Sequence, residues 1–130
     1  MDIDYSLEEL DLSHKNLTIL PDLSKYIKLK ILKCNNNQLT SLDNLPSGLQ
    51  KLYCNDNHIE SLDNLPTGLK LLNCSWNKLT SLDNLPSGLL ELYCWNNRIT
   101  SLDNLPSGLQ KLYCNDNHIE SLDNLQPGLL

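Results

Sequence analysis

Five cysteines, Cys34, Cys54, Cys74, Cys94 and Cys114, recur at one fixed interval along the chain. Thiols in such a register are chemically able to hold zinc, form disulfides or pack as small apolar groups. Each cysteine sits in an alternating run such as Lys51-Leu52-Tyr53-Cys54-Asn55. That alternation sends the thiol to the same side as a leucine and the polar residues to the other. Neighbouring strands lie about 4.8 Å apart, so the thiols would form a straight column rather than the corners of a tetrahedron. An odd number also cannot pair fully. The expected role is packing, with no metal and no disulfide, and the expected compartment is a reducing, intracellular one, the cytoplasm.

The other chemistry-bearing residues are scattered by the same interval. His58 and His118 occupy equivalent places three intervals apart, roughly 14 Å by strand spacing, too far to share a metal or a proton. His14 stands alone near the start, and no nucleophile–base pair or metalloprotease spacing surrounds any of the three. Asp43, Asp63, Asp83, Asp103 and Asp123 form a carboxylate series. Like charges so close repel, and each is expected to be tied to a backbone N–H or a nearby Asn or Ser of its own turn. Cation binding between neighbours is the alternative, limited by the six or more oxygens that calcium requires. Asn16-Leu17-Thr18 and Asn73-Cys74-Ser75 fit the glycosylation pattern but are read as coincidental, since no secretory signal opens the chain. No catalytic residue, cofactor site or metal site is assigned, and an enzyme is not expected.

The interval itself organises the chain. Glycines fall at Gly48, Gly68, Gly88, Gly108 and Gly128, and the run from Leu49 to Leu65 returns unchanged from Leu109 to Leu125. A period of 20 residues at this fidelity marks a solenoid of short stacked units. In one unit the spaced residues are Leu49, Leu52, Cys54, Asn57, Ile59, Leu62, Leu65, Pro66 and Gly68. The alternating part predicts a short strand. The part rich in Pro and Gly is too short and broken for a helix, so an extended or turn-like return is expected. Asn37, Asn57, Asn77, Asn97 and Asn117 should stack as a ladder, each amide both donating to and accepting from backbone groups of adjacent units.

This pattern resembles the leucine-rich-repeat family, with Cys where many members carry Leu or Val, from Leu7 to the end of the chain. It is similar to the short L-P type repeats of bacterial effector proteins and to asparagine-rich versions in giant viruses. The resemblance implies an α/β-class leucine-rich-repeat solenoid, a right-handed horseshoe with short parallel strands on its concave face and a largely non-helical convex side. The organisation expected is a single domain over 1–130. It comprises a capping and atypical repeat at 1–28, repeats at 29–48, 49–68, 69–88, 89–108 and 109–128, and the start of another at 129–130. The first unit carries Leu12 in the cysteine place and Lys15 in the ladder place. Met1 to Ser6 is expected to cover its edge, with one helical turn between Pro21 and Ile27. Leu129 and Leu130 would open a further unit without a cap, an edge suited to self-association.

Charge narrows the partner. The formal net charge of −6, from 10 Lys and Arg against 16 Asp and Glu, argues against nucleic acid and anionic membranes, which require dense basic patches. No apolar run approaches the roughly 20 residues of a membrane span. The outward strand positions vary while the framework repeats, and they hold both tryptophans and three of the tyrosines. Tyr53, Trp76, Tyr93, Trp95 and Tyr113, with Lys51, Glu91 and Lys111, are therefore the candidate partner-binding set. Clustered amphipathic rings have the composition of a protein-binding hot spot, although rings on neighbouring strands also brace a sheet. The expected function is a protein–protein interaction module, possessing a host-protein partner in the host cytoplasm if the viral or effector likeness holds. Two alternatives are a substrate-recognition piece of a larger effector or ubiquitin-ligase-type protein, and a structural spacer.

Overall fold

Three outward-inward-outward residues per unit are enough to make one strand and no more. In the computed structural model, which describes residues 3–122 and 125, these triplets form β1 (Glu9–Asp11), β2 (Ile31–Lys33), β3 (Lys51–Tyr53), β4 (Leu71–Asn73), β5 (Glu91–Tyr93) and β6 (Lys111–Tyr113). They lie side by side in one parallel sheet in sequence order. The register places Leu10, Leu32, Leu52, Leu72, Leu92 and Leu112 opposite one another. Each strand with its return leg is one coil, and the coils are numbered here by their strands. No helix is present among the described residues, hence none long and apolar enough to cross a membrane.

The core is a set of columns, each the same position in successive coils. Leu32, Leu52, Leu72 and Leu92 are fully enclosed, as are Leu39, Ile59, Leu79 and Ile99 on the far side of the corner. Burying a leucine side chain in this way contributes about 1.5–3 kcal/mol, which explains how so little strand can hold a fold. Coils 1 and 6 are looser: Leu10 and Leu12 at one end, and Leu112, Cys114 and Ile119 at the other, are only partly covered.

The first coil is longer because its return leg differs. Pro21 to Ile27 contains no helical turn. Tyr26 donates its amide to the Leu23 carbonyl, and Leu29 then donates to that of Tyr26, giving consecutive reverse turns. Proline at the start and Ser24 donating back to the Asp22 carboxylate favour turns over helix propagation. Ahead of β1, Tyr5 packs edge-on against Tyr26 at 5.0 Å, and the Lys25 ammonium lies 5.6 Å from the Tyr5 ring. Leu129, Leu130 and Asp123, and with them the self-association edge expected from sequence, lie outside the described residues.

Gly48, Gly68, Gly88 and Gly108 sit in turns, but none of them adopts the left-handed backbone conformation. The left-handed positions are instead the Asn of the return legs (Asn44, Asn64, Asn84, Asn104), the residue just before each ladder asparagine, and His14 and Asn16 in the first coil. Short amides and carboxylates tolerate that conformation because they hydrogen-bond locally.

Candidate functional site

The strand face is built on a polar frame that is itself fully engaged. Asn57 donates from Nδ2 to the carbonyls of Cys34 and Cys54, and its Oδ1 accepts the Leu39 amide at 2.9 Å. Asn77 and Asn97 repeat the arrangement one and two coils on. The first coil has no ladder asparagine, and Asn37 alone serves it, accepting from Lys15 and Leu17 and donating to Leu12. The amides therefore fasten each coil to its predecessor at the corner where the chain leaves the strand.

Beside this ladder run the cysteines. Cys34, Cys54, Cys74 and Cys94 are free and buried, and Cys114 is half-buried. Desolvation pushes the thiols up, to about 12 for Cys34 and Cys74 and upward likewise for Cys54 and Cys94. Such groups stay protonated, which removes the nucleophilic and metal-binding form. No three His, Cys, Asp or Glu side chains among the described residues converge on a metal-sized site.

The carboxylates of the return legs are tied down within and between coils. Ser41 Oγ donates to Asp43 and Ser61 Oγ to Asp63. Asn84 Nδ2 reaches back to Asp63 at 3.0 Å, and Asn104 Nδ2 to Asp83 at 3.2 Å. The cross-coil half of this pattern was missed in sequence, where only partners within one turn were considered. A shallow cleft of about 290 Å³ opens beside the first return leg, lined among others by Tyr26, Ile27, Asn44 and Pro46.

On the opposite, strand side the candidate residues fall into three arrangements. Tyr93 and Tyr113 stack at 4.8 Å with their planes 3° apart, and Trp95 meets Tyr93 edge-on at 6.1 Å. The stack covers one face of each ring, and Tyr113 keeps 46% of its surface exposed. Lys111 and Glu91 form an ion pair at 3.4 Å, and the hydrogen bond that the Lys111 ammonium donates to the Glu91 carboxylate raises the lysine pKa. Tyr93 is raised as well, first by desolvation and then by the nearby Glu91 charge. Tyr53 and Lys51 lie two strands away, beyond Asn73 and Leu71 of β4. Neither makes a ring contact or ion pair among the described residues.

Trp76 differs from the other rings. It occupies the corner rather than the strand, with φ of 55° and 53% of its surface exposed, and it makes no ring contact among the described residues. The same corner holds Asn36, Asp56, Asn96 and Asp116 in other coils. A bulky residue held there costs about 1–3 kcal/mol. In coils 2, 3 and 6 the residue ahead of the corner is an asparagine whose amide bonds to the corner side chain. Coil 4 replaces that pair with Ser75 and Trp76, and the fully buried Ser75 hydroxyl has no hydrogen-bond partner among the described residues. The signal was present in sequence: one tryptophan standing where every neighbour is Asn or Asp.

The family model described as leucine-rich repeats in two copies matches residues 5–47 and 87–127. The chain belongs to the leucine-rich-repeat family. Among solved structures, this leucine-rich-repeat chain is similar to YopM from Yersinia enterocolitica, with 31% identity and a TM-score of 0.81 over 100% of this chain and 33% of that one. A Shigella effector leucine-rich-repeat domain is 29% identical over 89% of this chain and 61% of its own, with a TM-score of 0.65. The functional domain of InlJ from Listeria monocytogenes, described as including a cysteine ladder, is 33% identical over 88% of this chain and 29% of that one, with a TM-score of 0.67. The chain thus spans less than two thirds of each of these structures. Comparison with curated proteins finds no match.

Proposed function

We propose that this leucine-rich-repeat domain is a protein–protein interaction module that receives its partner on the strand face, centred on the aromatic cluster of coils 5 and 6 and extending to Trp76 at the corner of coil 4. The observation that carries the reading is the contrast between frame and face. Ladder asparagines repeat with their hydrogen bonds closed above buried leucines and cysteines, whereas Tyr93, Trp95 and Tyr113 gather on outward positions of neighbouring coils and Trp76 stands exposed at the corner of coil 4. Aromatic side chains that combine large apolar area with few rotatable bonds dominate binding hot spots. Lys51, Tyr53, Glu91 and Lys111 would supply the polar rim. The likeness to effector leucine-rich-repeat domains supports an intracellular setting, a host cytoplasm, and a host protein as partner. No catalytic role is proposed for the domain.

The test is affinity capture from host-cell lysate with wild type and with a Trp76→Ala, Trp95→Ala double variant, both confirmed folded by circular dichroism. Partners held by the wild type and lost from the variant are expected. Identical partner sets would reduce the rings to braces and favour a spacer. The coverage of only 33% to 61% of the YopM and Shigella structures favours a second reading, a substrate-recognition part of a larger effector or ubiquitin-ligase-type protein. A continuous longer reading frame at the parent locus is its expected signature.

A further inference from the structure

Past the corner the chain stays extended for a few residues, and this leg forms a second outward row beside the strand face. In coil 4 Trp76, Lys78 and Thr80 are exposed while Asn77 and Leu79 are buried. Coil 5 follows the same alternation with Arg98 and Thr100 exposed, Asn97 and Ile99 buried, and Asn96 half-buried. Amides of Lys78 and Arg98 donate to Ile59 and Leu79 of the preceding coils, so the two cations stand in register on adjacent coils, about 5 Å apart at the backbone by parallel-strand spacing.

The flanking coils carry the reverse chemistry. At the same places coil 3 has Asp56, His58 and Glu60, and coil 6, the identical sequence copy, has Asp116, His118 and Glu120. A patch of two cations, two threonine hydroxyls and an exposed indole is therefore bracketed on both sides by carboxylates, in a chain of net charge −6. The bracket has no counterpart on the strand face, where Lys33 is paired with Glu9 and Lys111 with Glu91. Lys78 and Arg98 have no ion pair among the described residues. Trp76 adjoins them in the left-handed conformation that every other coil gives to a small polar side chain or histidine, an outlier of the sort found at binding sites.

We infer that Trp76, Lys78 and Arg98 form a docking site for a protein segment carrying a short acidic cluster beside an apolar side chain. A carboxylate fits the Arg98 guanidinium in a two-pronged hydrogen bond, a second carboxylate answers the Lys78 ammonium, and the apolar side chain rests on the indole. The bracket selects against long polyanions. A nucleic-acid strand running across the coils would leave the two cations and meet Asp56 and Glu60 on one side and Asp116 and Glu120 on the other. One running along a coil would neutralise too few phosphates to bind firmly. The site rests on the reading of the domain as protein-binding, but it occupies the edge rather than the tyrosine cluster.

The experiment selects a random peptide library displayed on phage against the intact chain and measures the enriched peptides by fluorescence anisotropy. The variants are Lys78→Glu with Arg98→Glu, Trp76→Asn, and Tyr93→Ala with Trp95→Ala, each checked for fold by circular dichroism. Enriched peptides should carry neighbouring Asp or Glu next to Trp, Phe or Leu. Their affinity should fall about tenfold or more with the charge reversal and with Trp76→Asn, and weaken with added salt. Peptides without acidic residues, affinity unchanged by the charge reversal, or no enrichment at all would overturn the site. Equal competition by heparin or single-stranded DNA would overturn it too. Binding lost only in the Tyr93, Trp95 variant would overturn this site while leaving the strand-face reading intact.

Discussion

Asn77 illustrates how much one side chain does in this fold. Its amide nitrogen reaches the carbonyls of Cys54, Cys74 and Ser75, and its oxygen takes the Ile59 amide. Truncation to alanine would leave several buried backbone groups unpaired, each at about 1–3 kcal/mol. Asn77→Ala is therefore expected to destabilise the chain by about 3 kcal/mol or more, read from urea unfolding. One residue earlier the sign reverses. Trp76→Asn places at the corner the residue that coils 2 and 5 already use there, and should raise stability by about 1 kcal/mol by relieving the left-handed backbone. A lower urea midpoint for that variant would mean that the indole contributes packing beyond the cost of its conformation.

At the scale of the strand, energetic weight follows coverage rather than sequence. Leu72 and Leu112 occupy the same register position, yet Leu72 is sealed and Leu112 is partly open. Leu72→Ala should cost about 2–5 kcal/mol and Leu112→Ala about half of that, both measured in chemical denaturation. Strand, corner and return leg were legible in the sequence because each rests on a strict period. Alternation announced the strands, the fixed cysteine phase announced the thiol column, and the repeated asparagines announced the ladder. Less legible were the places where the period carries no contrast. Asparagine occurs at three phases of most coils, and although its unbroken phase marked the ladder, nothing in the spacing marked the corner as left-handed or Asn84 as reaching back to Asp63. Pro21 to Ile27 was misread because the unit that contains it has no sister to compare with. For the candidate site, sequence placed the rings on the outer face but could not separate the stacked Tyr93 and Tyr113 from the solitary Trp76. That distinction depends on which neighbours share a row.

Over the whole molecule the buried thiols act together. The unfolded chain releases thiol protons near the ordinary value of 9.0, whereas Cys34 and Cys74 in the fold hold theirs to about 12 and Cys54 and Cys94 are also raised. Protons are thus lost from the unfolded state first, and stability falls as pH climbs through that window after remaining flat below it. Urea midpoints in a reducing buffer should decline above about pH 9, with a shallower decline for Cys74→Ala than for wild type. An equal slope in both would assign the alkaline loss to other groups. The ladder has a further meaning when the chain is considered in time. Each coil's corner is closed by the asparagine of the coil that follows: Asn57 completes the bonding of Cys34 and Leu39, and Asn77 that of Cys54 and Ile59. A nascent chain leaving the ribosome therefore cannot finish a turn when its own residues have emerged. It must wait for the next asparagine, so that native structure trails synthesis by one repeat and advances in a single direction.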